Sequence, residues 1–332
     1  MNIYITLDYE IYFGAKHGTV EKCIIYPTDE LTRVADKHQI KLVQFVDIGF
    51  VLKLGEFRKK FPVLDKDYKA IMGQLQKISN NGHDIQLHIH PHWEDSFYDG
   101  EKWNINIQRY KLTDFSESEI EDIVARYKNA LESITNKSIF AYRAGGWCLQ
   151  PFDKLKNALY QNGIRVDSSV FANGCFESEQ YHYNFKNAPL QSSWKFDDDP
   201  IKENENGKFT EVAISSIYNS PFFYWRLFLL GRLNPHFHKP LGDGEPISAS
   251  GQRFKMLTHH THNTVSIDGY NASLLNRALR QRIRMNKGNE MVIIGHPKSL
   301  TRYGLKALDA FIAKHKATHN FTTFAEQQQK FL

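Results

Sequence analysis

The feature that most narrows the folds open to this chain is an alternation of two kinds of segment. Short apolar runs occur at Asn2–Asp8, Lys41–Asp47, Asp84–His90, Ile139–Arg143, Ile164–Asp167, Glu211–Ile217 and Met291–Gly295. Between most of them lie segments with helical spacing: Thr28–His38, Asp65–Asn80, Ser116–Thr135, Pro151–Asn162, Ala272–Asn286 and Leu300–His315. Short runs that are apolar throughout are what strands buried on both faces look like, and their alternation with helices implies βαβ units and a mainly parallel sheet. Local signals agree with the helix limits. Ser116 and Glu119 form a capping box, Thr28 is a candidate cap, and Gly82 stops the helix that ends at Asn80. Six or seven such strands can close into a barrel or stay open, and the pattern alone does not choose. From about residue 171 to 251 the rhythm breaks, with an acidic, turn-rich piece, FDDDPIKENENGK, followed by SPFFYWRLFLLGRLNPHFHKPLGDGEP. The expectation is one domain over 1–332, with an insertion of about 171–251 on one end of the sheet.

Composition enters as a filter. Hydrophobic residues at 41% suffice for a sizeable core, and charged residues at 24% do not describe a disordered chain. The net charge of +5, from 42 basic and 37 acidic residues, contains no like-charge block long enough to argue for nucleic acid. Cys23, Cys148 and Cys175 are too widely spaced for a disulfide framework or a CxxC metal site. The opening MNIYITLDYE lacks the basic and apolar regions of a signal peptide, and no apolar run reaches the ~18 residues of a membrane span. The expected location is cytoplasmic.

The unusual polar residues fall at the ends of the strand-like runs. Asp8 and Glu10 end the first; His88, His90 and His92 end the third; Arg143, Asp167 and His296 end later ones. Parallel α/β folds collect their active sites at the C-terminal ends of strands. Catalytic zinc takes three protein ligands and keeps an open position for water. Asp8 and Glu10, two apart on an extended chain, share a face, so one can ligate while the other acts as a base. His88 and His92 come together if the chain bends at Pro91; His88 and His90 do so if it stays extended, and spacing leaves both open. His259, His260 and His262, in THHTHN, form a rival cluster without nearby carboxylates.

In order and type these residues resemble the polysaccharide deacetylases, the NodB homology domain of carbohydrate esterase family four. Five motifs occur in order from near residue 5 to residue 297: TLDYE, GHDIQLHIHPH, RAGGW, VDSSVF and IIGHP. Tyr9 stands where most members place a metal-binding Asp, and a glycine replaces the usual proline of the third motif. The resemblance implies a distorted (β/α) barrel of about seven parallel strands, a TIM-like barrel, with the insertion between the fourth and fifth motifs. It implies one divalent metal, zinc being the usual ion, held by Glu10, His88 and His92. It makes Asp8 the base, Arg143 the residue that holds the base, His296 the acid and Asp167 the carboxylate that tunes His296. His90, Trp93, Gly145 and Trp147 are then the substrate-side residues. The implied reaction is hydrolysis of N-acetyl groups on sugars.

A cytoplasmic deacetylase meets precursors, so the expected partner is an N-acetylated sugar, nucleotide-linked or lipid-linked, on the way to a surface polysaccharide. Residues 220–233, apolar and aromatic with Arg226 and Arg232, suit peripheral contact with the inner face of the membrane. Arg277, Arg280 and Arg284 would add charge on one helix face. The plainer reading is a buried helix beside the barrel mouth and a solvated basic face. Two other functions compete: an amidohydrolase-type metal enzyme using His88 and His90, and a catalytically inactive glycan-binding protein of the same fold. Either can be tested by metal content and turnover.

Overall fold

The computed structural model describes residues 1–178, 180–247 and 252–332. The buried apolar runs become strands β1 (Asn2–Tyr9), β2 (Val43–Asp47), β3 (Asp84–Ile89), β4 (Ala141–Ala144) and β5 (Val166–Asp167). They are followed by β6 (Ser193–Phe196), β7 (Phe209–Val212), β8 (Ser216–Asn219), β9 (Thr261–Thr264) and β10 (Glu290–Gly295). The main sheet runs β6-β7-β5-β4-β3-β2-β1-β10. Its seven strands from β7 to β10 pair in parallel, and β6 is an antiparallel edge on β7. The two ends of this path approach each other, for Ile214 bridges Val292 and Ser266 bridges Ile294, both in parallel. The sheet is thereby nearly closed into a distorted (β/α) barrel, which decides between the two arrangements that the alternation permits.

The helices are α1 (Tyr26–His38), α2 (Ile48–Phe57), α3 (Asp65–Asn80), α4 (Glu117–Thr135), α5 (Asp153–Gln161), α6 (Pro221–Leu233), α7 (Leu275–Met285) and α8 (Arg302–His315). Ser116 caps α4 through the capping box with Glu119. Thr28 does not cap α1. That helix continues from an irregular turn at Glu21–Ile25, Pro27 occupies its first turn, and Thr28 is buried inside it. Gly82, after α3, takes a φ of 82°, the left-handed turn that glycine makes without strain. The segment read as an insertion supplies β6 and β7 to the main sheet before it departs through β8 and α6; residues 248–251 of it lie outside the described residues.

One end of the barrel is filled. Phe324 packs on Tyr4 and Phe45 with ring centroids 5.1 and 5.8 Å away, Phe331 lies 6.2 Å from Tyr4, and the Ala325 amide donates to Asp84 where β3 begins. The opposite end, where the strands finish, holds the polar residues.

Candidate active site

Each functional side chain is delivered by the end of a strand or the first turn beyond it. β1 brings Asp8 and, just past its end, Glu10; β3 brings His88 and, one residue beyond it, His90; β4 brings Arg143; β10 is followed by His296 and Lys298. All of these but the fully buried Arg143 line a cleft of ≈ 320 Å³, to which Phe13, Tyr110 and Trp147 add aromatic wall. That volume is at the small end of ligand pockets, enough for one compact group to be enclosed.

The densest feature is a carboxylate with two imidazoles. Ligand atoms of Glu10, His88 and His90 all lie within 4.8 Å of one another, and all three residues are buried. His88 Nε2 is 3.3 Å and His90 Nε2 is 2.6 Å from Glu10 Oε2. Among the described residues Glu10 Oε2 accepts no well-aligned hydrogen bond, although both ring nitrogens crowd it. A buried carboxylate oxygen crowded by two imidazole nitrogens, but unbonded to them, fits a set of donors that share a cation. His88 Nδ1 is 2.9 Å from the Arg143 carbonyl oxygen, the second contact that fixes a ligating ring. Burial keeps His90 neutral, its pKa lowered to about 4, which leaves it the lone pair that a ligand needs.

Lys298 sits on the other oxygen of the same carboxylate. Its Nζ donates to Glu10 Oε1 at 2.8 Å and to the Ile11 carbonyl at 2.7 Å. Burial would push the Glu10 carboxyl up, but Lys298 and then His90 outweigh it and hold it well below the usual carboxylate range. Lys298→Met, which keeps the length and removes the charge, is expected to weaken metal binding ~10–100-fold, the usual cost of losing a residue that orients a ligand. Competition with a chromophoric chelator measures it, and an unchanged affinity would remove Lys298 from the site.

Asp8 and His296 stand beside this trio. Arg143 is fully buried and grips Asp8 through Nη1 at 2.6 Å; its Nη2 donates to Thr6 Oγ1 and Ser168 Oγ, and its Nε to the Ser168 carbonyl at 2.7 Å. Burial opposes the charge on Asp8, while Arg143, with His88 and His296 behind it, reverses that and lowers its pKa. His296 Nε2 is 3.6 Å from Asp8 Oδ2 and 3.8 Å from Glu10 Oε1. Its Nδ1 is 2.8 Å from Asp268 Oδ2, and its backbone amide donates to Asp268 Oδ1 at 2.8 Å. Burial again works against the charge, but Asp268, then Asp8 and Glu10, raise His296 to about 9. It is therefore cationic at neutral pH.

Four of the expected residues lie elsewhere than the expectation placed them. His92 is not in the trio. Pro91 opens a 3-10 turn over Pro91–Asp95 that swings its ring onto Tyr110, stacked 5.6 Å away at 4°, and edge-on to Phe13. Among the described residues neither of its ring nitrogens has a hydrogen-bond partner, and burial holds its pKa well below the usual histidine value. It is His90 that lies beside Glu10 and His88. Asp167 is not the carboxylate beside His296: its oxygens accept from the Ser169 hydroxyl and amide at 2.8 and 2.9 Å, and β7 lies between β5 and β10. Asp268 holds that position, brought there where Ser266 bridges Ile294. Trp93 is fully buried among Phe50, Trp103 and Phe13, with its Nε1 donating to Asp47 Oδ2 at 2.7 Å, so it presents no face to a sugar. Gly145 faces His90 and not the cleft. A Cβ there would sit 2.6 Å from His90 Nδ1 and from the Ile89 carbonyl, so the glycine gives the His90 ring its room. Trp147 does reach the cleft wall.

Asp268 and Lys298 were missed from the sequence. Asp268 had a signal: between Glu245 and Glu290 it is the only acid in the chain. The rival imidazoles His259, His260 and His262 lie on β9 and the turn before it, two of them stacked against Tyr218 and away from the cleft.

No protein-family model matches the chain, and no curated protein does. Solved structures do. One from Mycobacterium smegmatis, described as a candidate polysaccharide deacetylase, is 14% identical over all of this chain and 91% of its own, with a TM-score of 0.51. A family 4 acetyl xylan esterase from Clostridium thermocellum in complex with a cobalt ion is 11% identical over 98% of this chain and 89% of its own, at 0.41. The catalytic domain of a peptidoglycan N-acetylglucosamine deacetylase from Eubacterium rectale is 12% identical over 97% and 88%, at 0.41. At a TM-score of 0.51 the first shares the overall fold of this chain. The chain therefore shares the fold of that structure, a distorted, nearly closed parallel (β/α) barrel described for a polysaccharide deacetylase.

Proposed function

We propose that the protein is a metal-dependent hydrolase that removes an N-acetyl or similar small N-acyl group from a sugar in a surface-polysaccharide precursor. The observation that carries this reading is the convergence of Glu10, His88 and His90 in one cleft with a paired base and acid, Asp8 and His296. Glu10, His88 and His90 would hold one divalent ion, with zinc the expected species for two imidazoles and a carboxylate. Such an ion supplies Lewis acidity, which polarises an amide carbonyl and eases deprotonation of water.

The chain's own residues do the rest. Asp8, kept ionised by Arg143, takes the proton from the attacking water. His296, kept protonated by Asp268, donates from Nε2 to the amine as the C–N bond breaks. An amine leaves poorly without that proton, so acid and base must both reach the reacting amide. The resting charges are already the required ones, a carboxylate and an imidazolium.

Metal analysis of the purified protein, followed by acetate release from nucleotide-linked and lipid-linked N-acetyl sugars, tests the reading. A metal-loaded protein that turns over none of them would favour the inactive glycan-binding alternative. The pairing of His88 with His90 is an arrangement that amidohydrolases also use, but here the third member is a carboxylate from the first strand.

The acid makes a prediction about pH. His296 must be protonated to act, so kcat/KM falls as pH rises through its pKa, at or below about 9 once a cation is nearby. Asp268→Asn removes the largest influence holding that value up. The alkaline limb is expected to move toward neutral pH, with metal content unchanged. An alkaline limb that stays in place would show that Asp268 does not govern the acid.

A further inference from the structure

Charge is unevenly distributed along the chain. Residues 212–289 contain ten lysines and arginines against three acids, Asp243, Glu245 and Asp268. Asp268 is committed to His296, and Asp243 is tied to the Thr19 amide and hydroxyl. This stretch carries more positive charge than the chain as a whole, whose net charge is +5.

It also carries an apolar row that no described residue covers. On α6, Phe222, Trp225, Leu229 and Leu233 are 74%, 59%, 55% and 72% exposed, spaced three, four and four residues apart, so they form one stripe. Phe254, on the neighbouring helix Gln252–Thr258, is 70% exposed, and that helix is tied to α6 by Trp225 Nε1 donating to the Leu257 carbonyl at 3.1 Å. The inner face of α6 is occupied: Phe223 and Tyr224 are buried, and Phe223 stacks on Tyr270 at 5.5 Å. The plain reading, a helix buried beside the mouth, therefore accounts for only half of α6. Single exposed hydrophobics are ordinary, whereas a contiguous row of large ones marks an interaction surface.

Cations frame the row. Arg226 and Arg232 are exposed on α6 itself, and Arg277, Arg280 and Arg284 are exposed on α7. The two helices are linked through the antiparallel β8–β9 pair, where Arg277 donates to the Tyr218 carbonyl and Tyr218 stacks on His260 at 5.1 Å. From α6 the chain returns to the cleft rim, with Leu241 bonded to Leu300, Gly242 to Lys298, and Pro246 and Ile247 on the cleft wall. The segment that leaves α6 thus forms part of the mouth.

We propose that this face docks the protein on an anionic lipid bilayer, with the aromatic and aliphatic row of α6 entering the interface and the arginines of α6 and α7 meeting the headgroups. An acid-free apolar row flanked by arginines complements a negatively charged, apolar surface and nothing neutral equally well. Among the described residues no helix is long and apolar enough to cross a membrane, so α6, at 13 residues, lies along the surface. The inference deepens the proposed function, resting on it for the substrate class: a mouth beside a bilayer suits a lipid-linked N-acetyl sugar. The docking itself does not rest on that reading.

Flotation of the full, zinc-loaded chain with vesicles tests it. Wild type is expected to float with equal parts phosphatidylcholine and phosphatidylglycerol, to stay below with phosphatidylcholine alone, and to be released by salt. Leu229→Glu should abolish flotation, and Arg280→Ser with Arg284→Ser should weaken partitioning by roughly fivefold for each arginine. All three side chains are exposed, so circular dichroism should be unchanged. Wild type that stays below with anionic vesicles overturns the proposal, as does a dimer in solution that Leu229→Glu dissociates and vesicles do not compete with. Acetate release from a water-soluble N-acetyl sugar is read in parallel. Turnover without flotation sinks the docking surface alone, and flotation without turnover on any substrate sinks the deacetylase reading alone.

Discussion

Replacing His90 with alanine is expected to cost the protein its metal, whereas replacing His92 with phenylalanine is expected to leave metal content unchanged. The motif resemblance makes the opposite prediction, since it draws its two imidazoles from His88 and His92. The geometry favours His90. His90 Nε2 is 2.6 Å from the Glu10 carboxylate, while His92 is turned onto Tyr110 with both nitrogens unbonded. Loss of one of three ligands should weaken binding by more than the ~10–100-fold that follows loss of an outer partner. Phenylalanine at 92 preserves the stack and removes two buried polar atoms without partners, so stability should hold or rise. Elemental analysis of both variants after dialysis reads the result directly. Metal retained in His90→Ala and lost in His92→Phe would restore Glu10, His88 and His92 as the ligand set.

The second large effect belongs to Arg143. Arg143→Met leaves Asp8, 4% exposed, without the guanidinium that neutralises it. Breaking one side of a buried ion pair costs about 3–5 kcal/mol, because the remaining charge has lost its partner and cannot regain water. The sign with pH follows. Asp8 has a depressed pKa in the folded protein, so its pairing contributes stability above the ordinary carboxylate pKa, and that contribution is lost as pH falls. The variant's deficit should therefore be largest near neutral pH and shrink in acid, as Asp8 takes a proton. Urea unfolding of the metal-free proteins at pH 7 and pH 4 measures it. Activity should fall as well, since a protonated Asp8 cannot act as a base. A variant as stable as wild type at pH 7 would mean that Asp8 finds another partner.

What the sequence makes legible depends on how local the determinant is. The strands of the barrel are continuous apolar runs, and the capping box at Ser116 is a contact three residues long, so both could be read directly. The helix α2 could not. Ile48–Phe57 is apolar on nearly every side, so it shows no period, and it follows β2 without a break. Strand β6 was hidden for a different reason: SWKF is short and lies beside an acidic turn. In the site, Asp8, Glu10, His88 and His296 reach the cleft because each lies at or just past a strand end, and Arg143, at the end of β4, holds Asp8 from the core. Which of His90 and His92 lies beside Glu10 hung on what the chain does at Pro91, where a 3-10 turn forms. Asp268 and Asp167 differ by which strand each lies against. That depends on sheet order, which no local pattern encodes.

Strand β1 lies between β2 and β10, and its partners arrive at very different times during synthesis. Lys298 and Glu10, which meet in the cleft, are 288 residues apart in sequence. A nascent chain lacking β10 holds Glu10, His88 and His90 but neither His296 nor Lys298, which complete the cleft. In that interval one edge of β1, apolar along most of its length, has no neighbour and can pair with another chain. Contacts so distant in sequence also form slowly. Substitutions within β10 should therefore appear first as poor soluble yield, before any change in the rate of the molecules that do fold.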